Sequence, residues 1–188
     1  MTHGLTPSQT VGPYLHIGLD WLNTTELAPS GVEGERIVIE GCLMDAQGAT
    51  VPDGVIEIWQ ANAQGVYAHP DDGRSPAAGF LGFGRCATDD EGRFRFATIK
   101  PGGVHGRDGH LQAPHVMVNV FARGLLKQLS TRIYFSGDRH DDDAVMQQVP
   151  AERRATLIAR PVPDRSGNFL WNIVMGGGGD NETVFFDI

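Results

Sequence analysis

One short run of the sequence holds residues that can bind a metal. It reads APHVMVNVFARG over residues 113–124 and alternates like a β-strand, so His115 and Met117 point to the same face. Two histidines at this spacing can hold one metal ion together, whereas the second position here is a thioether. A methionine flanked by valines is most simply a core residue. The run is therefore half of a metal site, the remnant of one, or a piece of core.

Other potential ligands lie close by in the sequence. His105 and His110 precede His115 within eleven residues, and histidine together with tyrosine and carboxylate suits iron. The spacing alone favours the alternative, a surface turn that happens to contain histidines. The acidic run DRHDDD (138–143) lacks the spacing, the central glycine and the closing glutamate of a calcium-binding loop. We expect a solvated helix start there.

Short β-type runs separated by turn residues must position these side chains. The 25 glycines and 11 prolines argue for an all-β fold, and we predict a β-sandwich core with an extended N-terminal arm and one or two short helices. Gly92 is predicted to allow a hairpin turn between Thr88 and Phe94. The predicted strands span 36–45, 54–62, 92–100, 115–123, 129–135, 169–175 and 182–188. Helices are predicted over 137–148 and 150–160.

The first 35 residues differ from the rest of the chain. They are rich in threonine, proline and glycine and contain too few large apolar residues to form a core. We therefore predict two parts, an arm over 1–35 that packs on a partner chain and a β-sandwich domain over 36–188.

Composition excludes several classes of protein. A net charge of -8 argues against a general binder of nucleic-acid phosphates. Cys42 and Cys86 form no C-x-x-C pair, so no zinc or thioredoxin-like motif is present, and two free thiols are favoured over a disulfide. The N-terminus lacks a signal-peptide pattern and no apolar run is long enough to span a membrane. A cytoplasmic location is expected.

Five stretches resemble a known family over nearly the whole chain. They read TPSQTVGPYLHIGL (6–19), GVIEIWQANAQGVYAHP (54–70), DDEGRFRFATIKPG (89–102), APHVMVNVFARG (113–124) and TRIYFSGD (131–138). They are similar to the intradiol ring-cleavage dioxygenases, which implies an Fe(III) enzyme that opens a catechol ring with O₂. Within the family the likeness is greatest to a non-catalytic α subunit. That subunit type helps to convert 3,4-dihydroxybenzoate into 3-carboxy-cis,cis-muconate.

The resemblance also identifies the positions of the iron ligands, which are two tyrosines and two histidines in this family. Tyr67 and His115 match two of them, whereas Val104 and Met117 replace the second tyrosine and the second histidine. Fe(III) prefers anionic oxygen and imidazole to a thioether, and valine has no donor atom. We therefore expect no metal and no catalytic residue in this chain, with Tyr67 and His115 as remnants.

A partner is implied as well. The resemblance places the Fe(III) in a homologous β chain and assembles αβ units into a larger oligomer. It also places the N-terminal stretch of the α chain against the substrate, so we predict that this chain lines part of the pocket. The expected pocket residues are Thr10, Gly12, Pro13, Tyr14 and Arg132. For Tyr14 the alternative is interface packing only, and for Arg132 it is a salt bridge.

Two other functions stay open at this point. The chain could be a self-sufficient enzyme in which His105 or His110 completes a site with Tyr67 and His115. It could also be a binding module without dioxygenase chemistry. The retained TVGPY stretch argues against the second alternative, because it has no obvious role without a pocket to complete.

Overall fold

The computed structural model describes residues 4–74, 78–106 and 109–187. Its strands are β1 (Arg36–Asp45), β2 (Val55–Trp59), β3 (Phe83–Ala87), β4 (Arg93–Ile99), β5 (Val104–His105), β6 (Leu111–Gln112), β7 (Val116–Phe121), β8 (Leu129–Phe135), β9 (Ile158–Pro161), β10 (Asn168–Leu170) and β11 (Ile173–Met175). Its helices are α1 (Tyr14–Ile17), α2 (Ala144–Gln147) and the 3₁₀ turns Asp20–Leu22, Pro70–Asp72 and Ala151–Leu157.

Nine of these strands form one curled sheet. Its order is β11-β1-β10-β9-β8-β7-β2-β3, with β4 antiparallel to β1, while β5 and β6 pair separately. Alternate side chains of β1 and β4 face those of β2, β7 and β8, as period-two burial requires. The apolar interior includes Ile37, Ile39, Phe94, Phe96, Ile56, Ile58, Val116, Val118, Ile133 and Phe135. The predicted all-β sandwich is confirmed.

Five of the predicted strands each contain one strand of the structure, namely 36–45, 54–62, 92–100, 115–123 and 129–135. The runs 36–45 and 129–135 are strands over their whole length, and burial alternates from residue to residue along most of β1. The run 182–188 was predicted as a strand, and this is wrong. Over residues 182–187, which the structure describes, Phe186 forms an isolated bridge with Ser130 and no strand is present.

The run 169–175 divides into β10 and β11, which both pair in parallel with β1. At the break the Trp171 carbonyl oxygen lies 1.8 Å from the position that a Cβ atom on Gly41 would occupy. Only glycine therefore fits at position 41. The chain leaves the ladder with β1 after β10 and rejoins it further along β1 as β11.

The remaining differences concern turns and helices. Gly92 has the expected positive φ of 73°, but its turn leads from β3 to β4, which do not pair in one ladder as a hairpin would. The run 150–160 ends as strand β9 after a 3₁₀ segment, and only Ala144–Gln147 of 137–148 is α-helical.

The N-terminal 35 residues divide into a part that packs on the sandwich and a part that leaves large apolar side chains exposed. Thr24 and Glu26 form bridges with Arg85 and Ala97, and Leu27 is fully buried, so the second half packs on the chain's own sandwich. The part before Thr24 leaves Tyr14 and Trp21 exposed. Within the described ranges, no helix is long and apolar enough to cross a membrane.

Candidate functional site

Three neighbouring strands bring several predicted site residues together. Met117 on β7 lies directly opposite Trp59 on β2 and Arg132 on β8. Side chains that are directly opposite share one face of a sheet, so these three lie side by side. The Tyr67 ring stacks on Trp59 with ring centroids 5.8 Å apart and planes within 4°. This face of the sheet is the candidate site.

His115 precedes β7 and faces the same way as Met117. Its side chain is buried, with 4% exposure, and its Nδ1 lies 2.8 Å from the carbonyl oxygen of Ala113. Burial, reinforced by the nearby Arg132 charge, lowers the pKa of His115 to about 4. The imidazole is therefore neutral at pH 7.

Val104 is joined to the site through the β5–β6 ribbon. It is buried and pairs with Gln112, whose Oε1 accepts a 3.0 Å hydrogen bond from Arg132 Nη1. His105 follows Val104 and is exposed, because successive residues of a strand point to opposite sides. Its Nδ1 contacts the Gly109 carbonyl oxygen at 3.0 Å. His105 therefore does not take the place of the ligand that the resemblance assigns to the Val104 position.

A buried aspartate, Asp143, is hydrogen-bonded to residues next to the site. Asp143 accepts hydrogen bonds from the Tyr134 hydroxyl (3.0 Å) and from the backbone N–H of Ala113 (2.9 Å). It also caps α2 by accepting from the N–H groups of Val145 and Met146. Burial alone would raise the pKa of Asp143, but the Met146 and Ala113 N–H donors outweigh it and lower the pKa.

The expected solvated helix start is therefore wrong for Asp143, which is 2% exposed. In the sequence this cap could have been indicated by Asp143 itself, because aspartate is a preferred N-cap residue and the apolar residues of α2 follow it directly. By bonding the Ala113 N–H, Asp143 fixes the chain that leads into His115.

The donor set of this site does not fit ferric iron. Tyr67 and His115 offer a phenol and an imidazole, whereas Met117 offers only a thioether and Val104 offers nothing. Burial raises the pKa of Tyr67, which disfavours the phenolate that iron needs. The Arg132 cation lies near enough to lower the pKa of His115 and opposes a second positive charge. Within the described ranges, no three His, Cys, Asp or Glu side chains group around a possible metal position.

The predicted N-terminal pocket residues form a second feature. Thr10 Oγ1 accepts a 2.7 Å hydrogen bond from the Gly124 N–H, and the Leu15 carbonyl oxygen accepts a 2.8 Å bond from Arg85 Nη2. Between these two anchors lie Gly12, Pro13 and Tyr14, and the Tyr14 side chain is 77% exposed. The stretch is thus held at both ends and presents an aromatic ring outward.

Within one chain these two features are separate. Gly124 follows the end of β7, whereas Met117, opposite Arg132, lies at its start. The structure therefore groups Arg132 with Met117 and Trp59 and not with Tyr14.

The two cysteines have no catalytic setting. Cys42 and Cys86 are both free and partly buried, as favoured from the sequence. Burial raises the pKa of both thiols, which disfavours the nucleophilic thiolate.

The sequence of the chain is similar to those of known dioxygenases. A family model described as "Dioxygenase" matches residues 13–177. The chain is 37% identical over 201 residues to the protocatechuate 3,4-dioxygenase alpha chain of Pseudomonas putida, covering 97% of this chain and 96% of that one. It is 41% identical over 132 residues to the beta chain of that enzyme from Burkholderia cepacia, covering 68% and 56%.

The fold has solved counterparts. An intradiol ring-cleavage dioxygenase from Tetranychus urticae matches with a TM-score of 0.62 at 17% identity, covering 81% of this chain and 86% of that one. The family match over residues 13–177, together with the near full-length similarity to an alpha chain, shows that the chain belongs to the intradiol dioxygenase family.

Proposed function

We propose that this chain is the non-catalytic α subunit of a protocatechuate 3,4-dioxygenase. The main support is the near full-length similarity to an alpha chain together with a donor set that does not fit iron. The substrate would be 3,4-dihydroxybenzoate, whose ring is opened by O₂ to 3-carboxy-cis,cis-muconate. Fe(III) held by a homologous β chain would supply the ring-opening chemistry, and αβ units would assemble further.

The part of this chain in the reaction is to shape the substrate pocket. The arm anchored at Thr10 and Leu15 would reach the β chain's site, where Tyr14 forms an aromatic wall. Gly12 and Pro13 give the arm a compact turn that allows close backbone approach. The arm would hold the substrate and exclude water without supplying a proton donor, base or metal ligand.

The exposed apolar residues of the arm support a partner interface. Tyr14, Ile17 and Trp21 are 71–78% exposed although all three are large and apolar. Such a cluster on a soluble chain is typical of a surface that another protein covers. We propose that the β chain covers it, and that the assembled enzyme works in the cytoplasm.

Arg132 lies on β8 of the sandwich, whereas Tyr14 lies on the arm. Its guanidinium can attract a substrate carboxylate, but it lies beside this chain's own remnant positions. Arg132 would therefore contribute to the substrate pocket from the body of the sandwich and not from the arm.

Co-expression tests the proposed function. We expect the chain alone to be inactive on 3,4-dihydroxybenzoate, and the β chain alone to be poorly active or unstable. Together they should form a complex with one iron per αβ unit and full ring-cleavage activity, followed as oxygen uptake. Activity of this chain alone, or failure to bind the β chain, would overturn the proposal.

A further inference from the structure

One face of the sheet offers an imidazole and a thioether in neighbouring rows. Met117 lies directly opposite Arg132 on β8. The centroid of the His115 ring lies 6.0 Å from that of the Tyr134 ring, and Tyr134 follows two residues after Arg132. Arg132 and Tyr134 share one face, since Arg132 Nη1 lies 3.5 Å from the Tyr134 hydroxyl. His115 and Met117 therefore project from the same face of the sheet.

The imidazole of His115 is oriented as a metal ligand would be. Its Nδ1 lies 2.8 Å from the Ala113 carbonyl oxygen, which can only accept, so Nδ1 carries the proton and Nε2 keeps a free electron pair. Nε2 has no hydrogen-bond partner among the described residues, and it does not belong to the buried polar atoms without a partner. The small exposed area of His115 therefore includes Nε2. A histidine that binds a metal normally donates its other N–H to a carbonyl or carboxylate in this way.

Met117 supplies a soft donor beside this imidazole. Val116 and Val118 are buried in the sandwich, whereas Met117 is half-buried and does not belong to the apolar interior. The expectation of a core methionine is therefore wrong. The side chain is unbranched and has three rotatable bonds, so its sulfur can lean along the strand towards His115.

This pair of donors selects a different metal from Fe(III). Fe(III) is hard and prefers anionic oxygen, whereas a thioether is soft and suits Cu(I), for which imidazole is a good ligand as well. Cu(I) also accepts low coordination numbers. The replacement of a histidine by Met117, which removes the site from the range of iron, therefore leaves it within the range of a soft ion.

The surroundings tolerate one positive charge better than three. Arg132 is a cation on the same face, and its repulsion grows in proportion to the charge of the ion. Its Nη1 donates to Gln112 Oε1 at 3.0 Å on β6, which holds part of the guanidinium on that side. Trp59 lies directly opposite Met117 on the other neighbouring strand. An aromatic ring beside the thioether favours a cation.

We propose that His115 Nε2 and Met117 Sδ form a binding site for a soft, singly charged metal ion of the Cu(I) type. Trp59 would flank the ion. The ion keeps its oxidation state, so no electron is gained or lost at the site. The inference goes beyond the proposed function and requires only that Fe(III) is not bound here.

Metal titration of the full chain tests the proposal. Cys42 and Cys86 are free thiols that also bind soft ions, so the titration uses the double variant Cys42→Ala with Cys86→Ala. Under anaerobic, reducing conditions, competition with a coloured Cu(I) chelator should give one bound Cu(I) per chain. Ag(I), which is also soft and singly charged, should displace it, and Zn²⁺ at the same concentration should not. If the cysteine variant folds poorly, the chain with both thiols should bind one Cu(I) more than its Met117→Leu variant.

Substitutions assign the ion to the two residues. Met117→Leu conserves the volume but removes the sulfur, and should weaken Cu(I) binding by about tenfold or more. His115→Gln should weaken it to a similar extent. Met175→Leu is the matched control, because Met175 is also partly buried but has no histidine two residues away in the sequence. It should leave Cu(I) binding unchanged.

Three results would overturn the proposal. The first is a folded chain without cysteines that binds no Cu(I), and the second is Cu(I) binding that survives Met117→Leu unchanged. The third is displacement of the Cu(I) by Zn²⁺ instead of Ag(I). Failure of the proposed function is seen separately, because it would appear as iron in this chain, which elemental analysis distinguishes from copper, or as failure to bind the β chain.

Discussion

The Arg85 guanidinium holds the arm at Leu15, one residue after Tyr14. Its Nη2 donates to the Leu15 carbonyl oxygen at 2.8 Å, and its Nη1 donates to Glu57 Oε1 at 2.7 Å. Arg85 is 5% exposed, so the ion pair lies beneath the arm and is shielded from water. A residue in the body of the sandwich therefore sets the direction in which the proposed pocket wall leaves the domain.

Replacing Arg85 with lysine should loosen the arm. Lysine keeps the charge but cannot reach Glu57 and Leu15 at once with a planar fork. Loss of one contact in a buried pair destabilises the fold by roughly 1–3 kcal/mol. In the assembled enzyme we expect KM for 3,4-dihydroxybenzoate to rise severalfold with iron content unchanged, and amide exchange over 10–19 to speed up. Faster exchange with an unchanged KM would remove the arm from the pocket.

Tyr14→Ala tests the aromatic wall itself. Because the side chain is exposed in this chain, the change should leave the fold intact and alter substrate KM or turnover of the assembled enzyme. Tyr14→Phe keeps the ring and is the control, so it should lie closer to the unaltered enzyme. Unchanged kinetics with intact assembly would restrict Tyr14 to interface packing, and size-exclusion chromatography reports that assembly.

Placing a tyrosine and a histidine at the two positions that lack the family's ligands by resemblance should create iron binding. Val104→Tyr together with Met117→His would complete the donor set with Tyr67 and His115. We expect this double variant, alone and with added Fe(III), to develop the visible absorbance of ferric tyrosinate. Either single variant supplies only three donors and should bind far more weakly. A colourless double variant that is folded would show that these positions do not converge on one metal.

Burial of neutral His115 makes stability depend on pH. Its pKa is about 4 in the folded chain and 6.5 as the ordinary value, so the unfolded state takes up the proton first as pH falls. The contribution is complete above pH 6.5 and is lost towards pH 4, by up to about 3 kcal/mol. Denaturant titrations at pH 7 and pH 5 should show this loss, and His115→Gln should reduce it. An equal loss in both proteins would assign it to other groups.

Much of the fold could be predicted because its signals are local. The runs 36–45 and 129–135 are rich in β-branched and other large apolar residues, and this composition identifies β1 and β8. The division of 169–175 could not be predicted, because it depends on the close approach of Trp171 to Gly41 across the sheet. Strand β3 was missed since FGRCA has two small residues and no alternation.

The site was only partly predictable for the same reason. The resemblance to the family points to Tyr67, His115, Val104 and Met117. The side chains that surround these four residues could not be predicted from the sequence. Arg132 meets Met117 only through the β7–β8 register, and Arg85 meets Leu15 across 70 residues. Such long-range contacts leave no pattern in the sequence.

The most direct test of the central claim is the iron content and visible absorbance of this chain, purified alone and then with the proposed β partner. We predict a colourless, iron-free chain alone, and the colour of ferric tyrosinate only in the complex. A chain that alone is coloured and binds iron stoichiometrically would contradict the account, because Tyr67 and His115 would then be working ligands and the chain an enzyme in its own right.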